Sequence, residues 1–200
     1  MSKFLKYNHH NLFEGTPLSF GTFICKDCTQ KKKEYEYKKL EDIPKNILNL
    51  GYIEVNSNQR PIYVTTPIMV CPFGFNQKSN QLTLQFTNVR TDPEMNSFFN
   101  FIQNLELEQM KYIGLTDDDA DLYISQVRFD KNGKYDPNLL VKAPFHSNRY
   151  DVDIQGKNGG CSITNIFNFS KLQCDIYIDK IWKFNDKFVC KWKVKKILLM

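Results

Sequence analysis

Three of the eight prolines of this 200-residue chain fall within residues 60–75. The residues between them, within 62–70, are otherwise Ile, Tyr, Val, Thr and Met, which favour β-strands. Proline has no amide proton to give to a sheet, so Pro61, Pro67 and Pro72 are expected at strand starts, edges or breaks. The segment therefore predicts a strand that bends sharply, as strands do when they wrap a small barrel.

The composition is that of one folded domain with its own core. Apolar residues make up 42% of the chain and aromatic residues 14%. No apolar run approaches the roughly 18–20 residues of a membrane span, and the first residues lack the apolar stretch of a signal peptide. We therefore expect an intracellular protein with no membrane partner and reduced cysteines.

Charge is distributed unevenly, although the net charge is only +5. Residues 92–121 carry eight acidic residues against Lys111, and residues 171–200 carry eight lysines against three aspartates. A basic segment of this kind indicates either a surface for a polyanion or a solvated lysine-rich strand.

Alternating apolar and polar residues predict strands along most of the remaining chain, the clearest being residues 81–90 with Leu82, Leu84 and Phe86 on one face. The Glu-Tyr-Glu-Tyr alternation of residues 34–37 also favours a strand. Hairpins are predicted for residues 122–129 with 138–143 around Asn132-Gly133, for 149–155 with 161–167, and for 172–183 with 188–199 around Asn185-Asp186.

A single helix is predicted over residues 94–110. Phe98, Ile102 and Leu105 follow helical spacing, Asp92 or Thr91 can cap the first turn, and Pro93 suits its first position. Many strands with one helix predict a mainly β fold, a barrel or a sandwich, rather than a doubly wound sheet.

Candidate metal sites are incomplete. Cys25 and Cys28 have the spacing of half a zinc site, and His9 and His10 are the nearest residues that could complete it. The acidic run at 117–121 lacks the alternation and glycine of a calcium loop, so a solvated loop is expected. Cys71, Cys174 and Cys190 lie in apolar runs and are expected in the core.

No motif for catalysis or for phosphate binding is present. His146 lacks an accompanying nucleophile, and we expect it in a loop. The sequence therefore predicts a protein without enzymatic activity or cofactor.

Aromatic residues beside cations indicate another function, because unpaired bases stack on exposed rings while Lys and Arg neutralise phosphates. Core packing of each ring and a merely solvated position for each cation are the alternatives. The candidate stacking residues are Tyr63, Phe73, Phe75, Phe145, Tyr150, Tyr177 and Trp182. The candidate phosphate contacts are Arg60, Arg128, Arg149, Lys180, Lys183, Lys191, Lys193 and Lys195.

Three blocks in order resemble the single-stranded DNA-binding proteins of large eukaryotic DNA viruses, and they are similar to the podophage-type single-stranded DNA-binding proteins. The blocks are 61–67 with 71–75, the strand 82–86 leading into the helix that contains 98–102, and the hairpin 175–182 with 188–197.

This resemblance implies an oligonucleotide/oligosaccharide-binding (OB)-like β-barrel over residues 51–200, with a helix between its third and fourth strands and with extra hairpins. It leaves residues 1–50 as an N-terminal extension packed on the barrel. It also implies non-enzymatic coating of single-stranded DNA in viral replication and recombination, at the replication site of the infected cell, with viral replication proteins as partners; a homodimer is left open.

The sequence departs from the podophage pattern in one respect. Those proteins end in an acidic tail that recruits the replication machinery, whereas residues 191–200 of this chain are basic and apolar. The recruiting role is therefore absent, is carried by residues 117–121, or is replaced by another role. The alternative is a viral structural protein, capsid- or virion-associated, whose barrel or sandwich would present an apolar, weakly charged patch.

Overall fold

The computed structural model of the protein describes residues 18–26, 34–37, 50–57, 60–156, 159–184 and 186–200. Among these residues, no helix is long and apolar enough to cross a membrane. Three of the candidate zinc ligands, Cys28, His9 and His10, lie outside the described residues. The strands are β1 (Leu18–Lys26), β2 (Glu34–Tyr37), β3 (Leu50–Ser57), β4 (Ile62–Thr65), β5 (Met69–Cys71), β6 (Phe75–Asn76), β7 (Gln81–Gln85), β8 (Val127–Arg128), β9 (Asn138–Lys142), β10 (Phe145–His146), β11 (Arg149–Tyr150), β12 (Asp153–Gly156), β13 (Gly159–Gly160), β14 (Ser170–Ile178), β15 (Lys180–Phe184), β16 (Lys187–Cys190) and β17 (Trp192–Leu199).

Five strand positions form a closed barrel. In chain order they are β4 with β5, then β7, β9, β14 and β17. β4 and β5, which together form the first barrel strand, pair with β14, and β5 also pairs with β7. β7 pairs with β9, and β14 pairs with β17. A parallel pairing of β17 with β9 closes the ring. This is the architecture of an OB-like barrel, so the predicted fold class is confirmed.

The first barrel strand is broken where the prolines predict a break. Pro61 precedes β4, Pro67 separates β4 from β5, and Pro72 follows β5. The hydroxyl of buried Thr66 accepts a hydrogen bond from the Cys174 amide at 3.0 Å, and the Thr66 amide donates to the Cys174 carbonyl at 2.8 Å. The strand therefore bends at Pro67 while its contact with β14 stays hydrogen bonded.

The helix α1 (Pro93–Ile113) closes one end of the barrel. Asp92 caps it by accepting from the amides of Glu94 and Met95, as predicted, and Gly114 ends it at a φ of 81°. Its apolar face packs into the core, and the Phe98 ring lies 5.9 Å from that of Phe86, which directly follows β7.

The position of the helix corrects the one that the resemblance implies. α1 lies between the second and third barrel strands, not between the third and fourth. The segment between the third and fourth strands contains Gly156, Gly159 and Gly160, and it forms short hairpins and a 3₁₀ turn, Ile163–Asn165. Glycine-rich sequence of this kind does not sustain a helix.

The closing hairpin belongs to two sheets. β14 and β17 lie in the barrel, whereas β15 and β16 continue the same two arms into a second sheet with the order β16-β15-β3-β1-β2. The arms change sheets at Asp179 and Lys191. The apolar side of the second arm, from Phe188 to Val194, is buried as its alternation predicts, and so are Cys71, Cys174 and Cys190.

Three local predictions were wrong. The acidic run was expected to be a loop, but Asp117–Leu122 is a 3₁₀ helix. Because the residues after this helix connect it to β8, only Val127–Arg128 of the predicted strand 122–129 pairs as a strand. Residues 161–167 do not form a strand, because Ser162 and Asn165 cap each other around a 3₁₀ turn.

Candidate nucleic-acid interface

One row of side chains crosses the outside of the barrel. Tyr63 on β4 is opposite Tyr177 on β14, Tyr177 is opposite Lys193 on β17, and Lys193 is opposite Lys142 on β9. The two tyrosine rings stack with centroids 5.1 Å apart, and the Lys193 ammonium lies 5.6 Å from the Tyr177 ring. Stacked rings that continue into two ammonium groups are a suitable surface for a base next to phosphates.

The cationic part of this row extends along β9. Lys191 precedes Lys193 on the same side of its strand, and Arg128 is opposite Asn138 at the other end of β9. Desolvation and, next, the positive charge of Lys142 lower the pKa of Lys191. We call Tyr63, Tyr177, Lys142, Lys191, Lys193 and Arg128 the barrel face.

The strand residues around these cations are uncharged. On the outer sides of β7 and β9 they are Gln81, Thr83, Gln85, Asn138 and Leu140, each half-buried. Neither strand contains a carboxylate. Lys142 and Lys191 form no ion pair with the described residues, so their charge is available to an anion.

Two aspartates neutralise Lys193 and the nearby Lys195. The Lys193 ammonium lies 2.7 Å from Asp179, with both side chains 27% exposed, and the Lys195 ammonium lies 3.0 Å from Asp151. Desolvation, then Asp179, Tyr63 and Asp151, raise the pKa of Tyr177 to about 12. Tyr177 therefore keeps its hydroxyl proton at neutral pH and lies within the field of both aspartates.

A second aromatic group lies beyond Asp151. The hairpin of β10 and β11 turns through Ser147 and Asn148, both at positive φ, as in a two-residue type I′ turn. It brings the Phe145 ring to 4.7 Å from the Tyr150 ring, and Tyr150 meets Phe75 edge-on at 5.1 Å. We call Phe145, Tyr150 and Phe75 the aromatic stack; exposed Arg149 and His146 lie in the same hairpin.

The predicted residues of β15 lie in the second sheet, away from the barrel face. The Lys180 ammonium is 4.0 Å from the Tyr52 ring, and Trp182 lies 5.1 Å from the same ring. Lys183 is buried, with its ammonium 5.6 Å from the Phe188 ring and 3.9 Å from Asp186, and desolvation lowers its pKa. This burial separates Lys183 from the surface cations, and Arg60 lies exposed in a bridge to Ser57.

Three exposed phenylalanines occupy two adjoining turns, and two of them were missed in the sequence. Phe73 is 70% exposed, Phe167 67% and Phe169 73%. The Phe169 amide donates to the Cys71 carbonyl at 2.8 Å, which joins the turns. We call these three residues the phenylalanine patch. The signal that could have revealed Phe167 and Phe169 is the Phe-Asn-Phe sequence that follows the Gly-rich segment and directly precedes β14.

Comparison with solved structures gives a structural likeness to a phage protein. The chain is similar to the crystal structure of gp2.5, a single-stranded DNA-binding protein encoded by bacteriophage T7. The superposition has a TM-score of 0.46 at 14% sequence identity and covers 69% of this chain and 91% of that chain. No protein-family model and no curated protein matches the sequence. The functional argument therefore rests on the residues of the site itself.

Proposed function

We propose that the protein binds single-stranded DNA without transforming it, and that the barrel face is the main contact. The observation that carries this proposal is the register that continues the Tyr63–Tyr177 stack into Lys193 and Lys142 on the outside of an OB-like barrel. The half-exposed rings of Tyr63 and Tyr177 can stack only on bases that are not already stacked in a duplex, and ammonium groups at strand spacing neutralise successive phosphates. Such a site tolerates any base sequence.

The test is a fluorescence-anisotropy titration of the full chain with labelled oligothymidine at 0.05 M and about 0.2 M salt. We expect binding that weakens steeply with salt, because each neutralised phosphate of a single strand adds about 0.7 to the slope of log K against log salt concentration. No binding at low salt would exclude the proposal, and equal affinity for duplex DNA would replace it with a general polyanion binder.

A pair of charge variants locates the contact. Lys142→Gln with Lys191→Gln should reduce the salt slope by about 1.4 and weaken binding by on the order of tenfold at low salt. The control, Lys111→Gln with Lys187→Gln, removes the same charge from the helix surface and from the second sheet. Lys111 pairs there with Glu108 at 2.8 Å, and the Lys187 ammonium donates to the Asp121 carbonyl at 3.2 Å. If both double variants weaken binding equally, net charge rather than the barrel face governs the affinity.

We also propose the setting that the sequence blocks imply: coating of single-stranded DNA during viral replication and recombination, in the infected cell, with viral replication proteins as partners. The pairing of β1 with β3 supports the proposal that residues 1–50 are an extension packed on a barrel domain of residues 51–200. Copurification of viral polymerase or helicase with the tagged protein from infected cells would test the setting.

A virion-associated structural role is the second candidate, and the exposed phenylalanine patch is the observation that favours it. Mass spectrometry of purified particles discriminates the two roles. A structural component is expected at an abundance comparable to other coat proteins, whereas a replication protein is expected to be scarce or absent there.

A further inference from the structure

We infer that the phenylalanine patch (Phe73, Phe167 and Phe169) is a second base-stacking site, at the end of the barrel opposite the helix. This inference rests on the proposed function and extends it. The strand that crosses the barrel face would continue past the aromatic stack and place further bases on these three rings.

The patch is preorganised rather than loosely exposed. Its two turns are joined by bonds from the Phe169 amide to Cys71 and from the Phe75 amide to Ile166, at 2.8 and 3.0 Å. A Cβ on Gly74 would lie 2.8 Å from the Ile166 carbonyl oxygen, and Gly74 has a φ of 64°. The turns therefore fit together only with glycine at this position, which fixes where the rings emerge.

Phe169 is held in an unfavourable backbone conformation. Its φ is 63°, in the left-handed region that a bulky residue rarely adopts, and yet its ring is 73% exposed. Core packing therefore does not explain why an aromatic residue stands at this position. Backbone strain of this kind clusters at ligand-binding segments, where the surrounding structure maintains it.

The surroundings favour a nucleic acid over a protein partner. Residues 61–88, up to the turn before the helix, contain Lys78 and no carboxylate, and residues 159–174 contain Lys171 and no carboxylate. Exposed rings within a carboxylate-free, basic pair of segments match the chemistry of unpaired bases on a phosphate backbone. An apolar partner surface would gain nothing from this excess of positive charge.

The patch is also continuous with the proposed interface. Phe75 belongs to both regions: its amide bonds to Ile166 beside the patch, and its ring contacts Tyr150 of the aromatic stack at 5.1 Å. Tyr150 in turn precedes Asp151, which pairs with Lys195 on β17. A single strand can thus pass from the lysines of β17 over the Lys195–Asp151 pair and the aromatic stack to the patch.

The test uses a double variant that carries both Phe73→Ala and Phe167→Ala. Its control is Phe184→Ala, which removes a ring that is 61% exposed in the second sheet. The ligands are oligothymidine and an oligonucleotide of equal length with abasic sugars in half of its positions. We expect the double variant to bind oligothymidine about tenfold or more weakly, because each stacked base is lost with its ring. Its affinity for the half-abasic ligand should fall by a smaller factor, because half of the bases that could stack are already missing, and Phe184→Ala should match the unchanged protein with both ligands.

Other outcomes distinguish the possible failures. If the unchanged protein does not bind oligothymidine at all, the proposed function fails first. If it binds and the double variant binds equally well, the stacking site is excluded. If the double variant instead converts a dimer into a monomer in light scattering with unchanged DNA affinity, the patch contacts a second copy of the chain and the inference is wrong. The variants Phe73→Leu and Phe167→Leu keep apolar bulk; should the alanine forms fail to fold, the leucine forms must show the same selective loss.

Discussion

At the scale of single residues, Glu106 is a buried carboxylate that joins the helix to the barrel. The Ser125 hydroxyl donates to one of its oxygens at 2.6 Å, and the Gln126 amide donates to the other at 2.8 Å. Burial raises its pKa, although these two hydrogen bonds and the charge of Arg128 oppose the rise. The carboxylate therefore positions the start of β8 at a cost in solvation.

The raised pKa predicts how stability depends on pH. The folded state binds the Glu106 proton more tightly than the unfolded state, so this contribution to stability is complete below the ordinary value of 4.5 and is lost as the pH rises through the folded pKa. Glu106→Gln should therefore be at least as stable as the unchanged protein at pH 7 and lose this advantage near pH 4.

Urea unfolding at several pH values measures this difference. Ser125 can accommodate the glutamine amide because its hydroxyl also reaches the Val127 carbonyl at 3.2 Å. Glu106→Ala is the matched comparison: it leaves the Gln126 amide without an acceptor and should cost about 1–3 kcal/mol. A glutamine variant as unstable as the alanine variant at pH 7 would contradict the argument.

Asp179 limits the charge of the barrel face. Its carboxylate accepts two hydrogen bonds from the Lys193 ammonium, at 2.7 and 2.9 Å, and thus occupies the position that a phosphate would take. Asp179→Asn should strengthen oligothymidine binding by several-fold and increase the salt slope by about 0.7. Anisotropy titrations over a salt series measure both quantities. Asp186→Asn, which removes equal charge from the turn of the distal hairpin, should change neither; an equal gain from both variants would show a non-specific charge effect.

At the scale of elements, Thr66 maintains the hydrogen bonding between the first barrel strand and β14 where Pro67 interrupts the strand. Thr66 is buried, its hydroxyl accepts from the Cys174 amide at 3.0 Å and donates to the Pro67 carbonyl at 2.8 Å, and its own carbonyl accepts from the Gln173 side chain at 3.1 Å. The proline break therefore depends on a neighbouring side chain for its hydrogen bonds.

Substitution of Thr66 tests this dependence. Thr66→Val keeps the shape but leaves the buried Cys174 amide without a side-chain acceptor, which should lower the free energy of unfolding by about 1–3 kcal/mol. Thr66→Ser keeps the hydroxyl and should recover most of the loss. Thermal and urea unfolding measure both variants, and equal stabilities of the valine and serine forms would contradict the assigned role.

The elements also show what the sequence could and could not predict. The alternation of β7, the arms of the closing hairpin and the capped helix follow from local spacing, and the structure confirms them. The change of sheet at Lys191 was not predictable, because the alternation of the second arm continues through it and only the partner strand changes. The 3₁₀ turn at 163–165 was missed because Ile163, Ile166 and Phe167 resemble the apolar residues of a strand.

The candidate site was partly predictable for the same reason. Aromatic and basic residue types were read directly from the sequence, but which of them meet depends on register between strands more than a hundred residues apart, such as Tyr63 and Tyr177. Local alternation likewise did not reveal that Lys183 faces inward while Lys193 and Lys195 face aspartates.

At the scale of the whole molecule, the closing hairpin binds the barrel and the second sheet into one unit. Trp182 lies in the second sheet and Trp192 in the barrel, and these are the chain's two tryptophans. Because both lie on one hairpin, we expect the two sheets to unfold together. Trp182→Phe and Trp192→Phe each leave one reporter, and in each variant the fluorescence midpoint in urea should equal the midpoint by circular dichroism. Separate midpoints in either variant would show that the sheets are independent.

The broken first barrel strand has a consequence during synthesis of the chain. Thr65 of β4 meets Asp175 of β14 across 110 residues, which a ribosome adds in roughly 5–20 s. Throughout that interval the segment has an open edge on which another chain could pair. Pro61, Pro67 and Pro72 have no amide proton to donate to such a pairing chain. The residues that bend the strand therefore also oppose its aggregation until β14 has been synthesised.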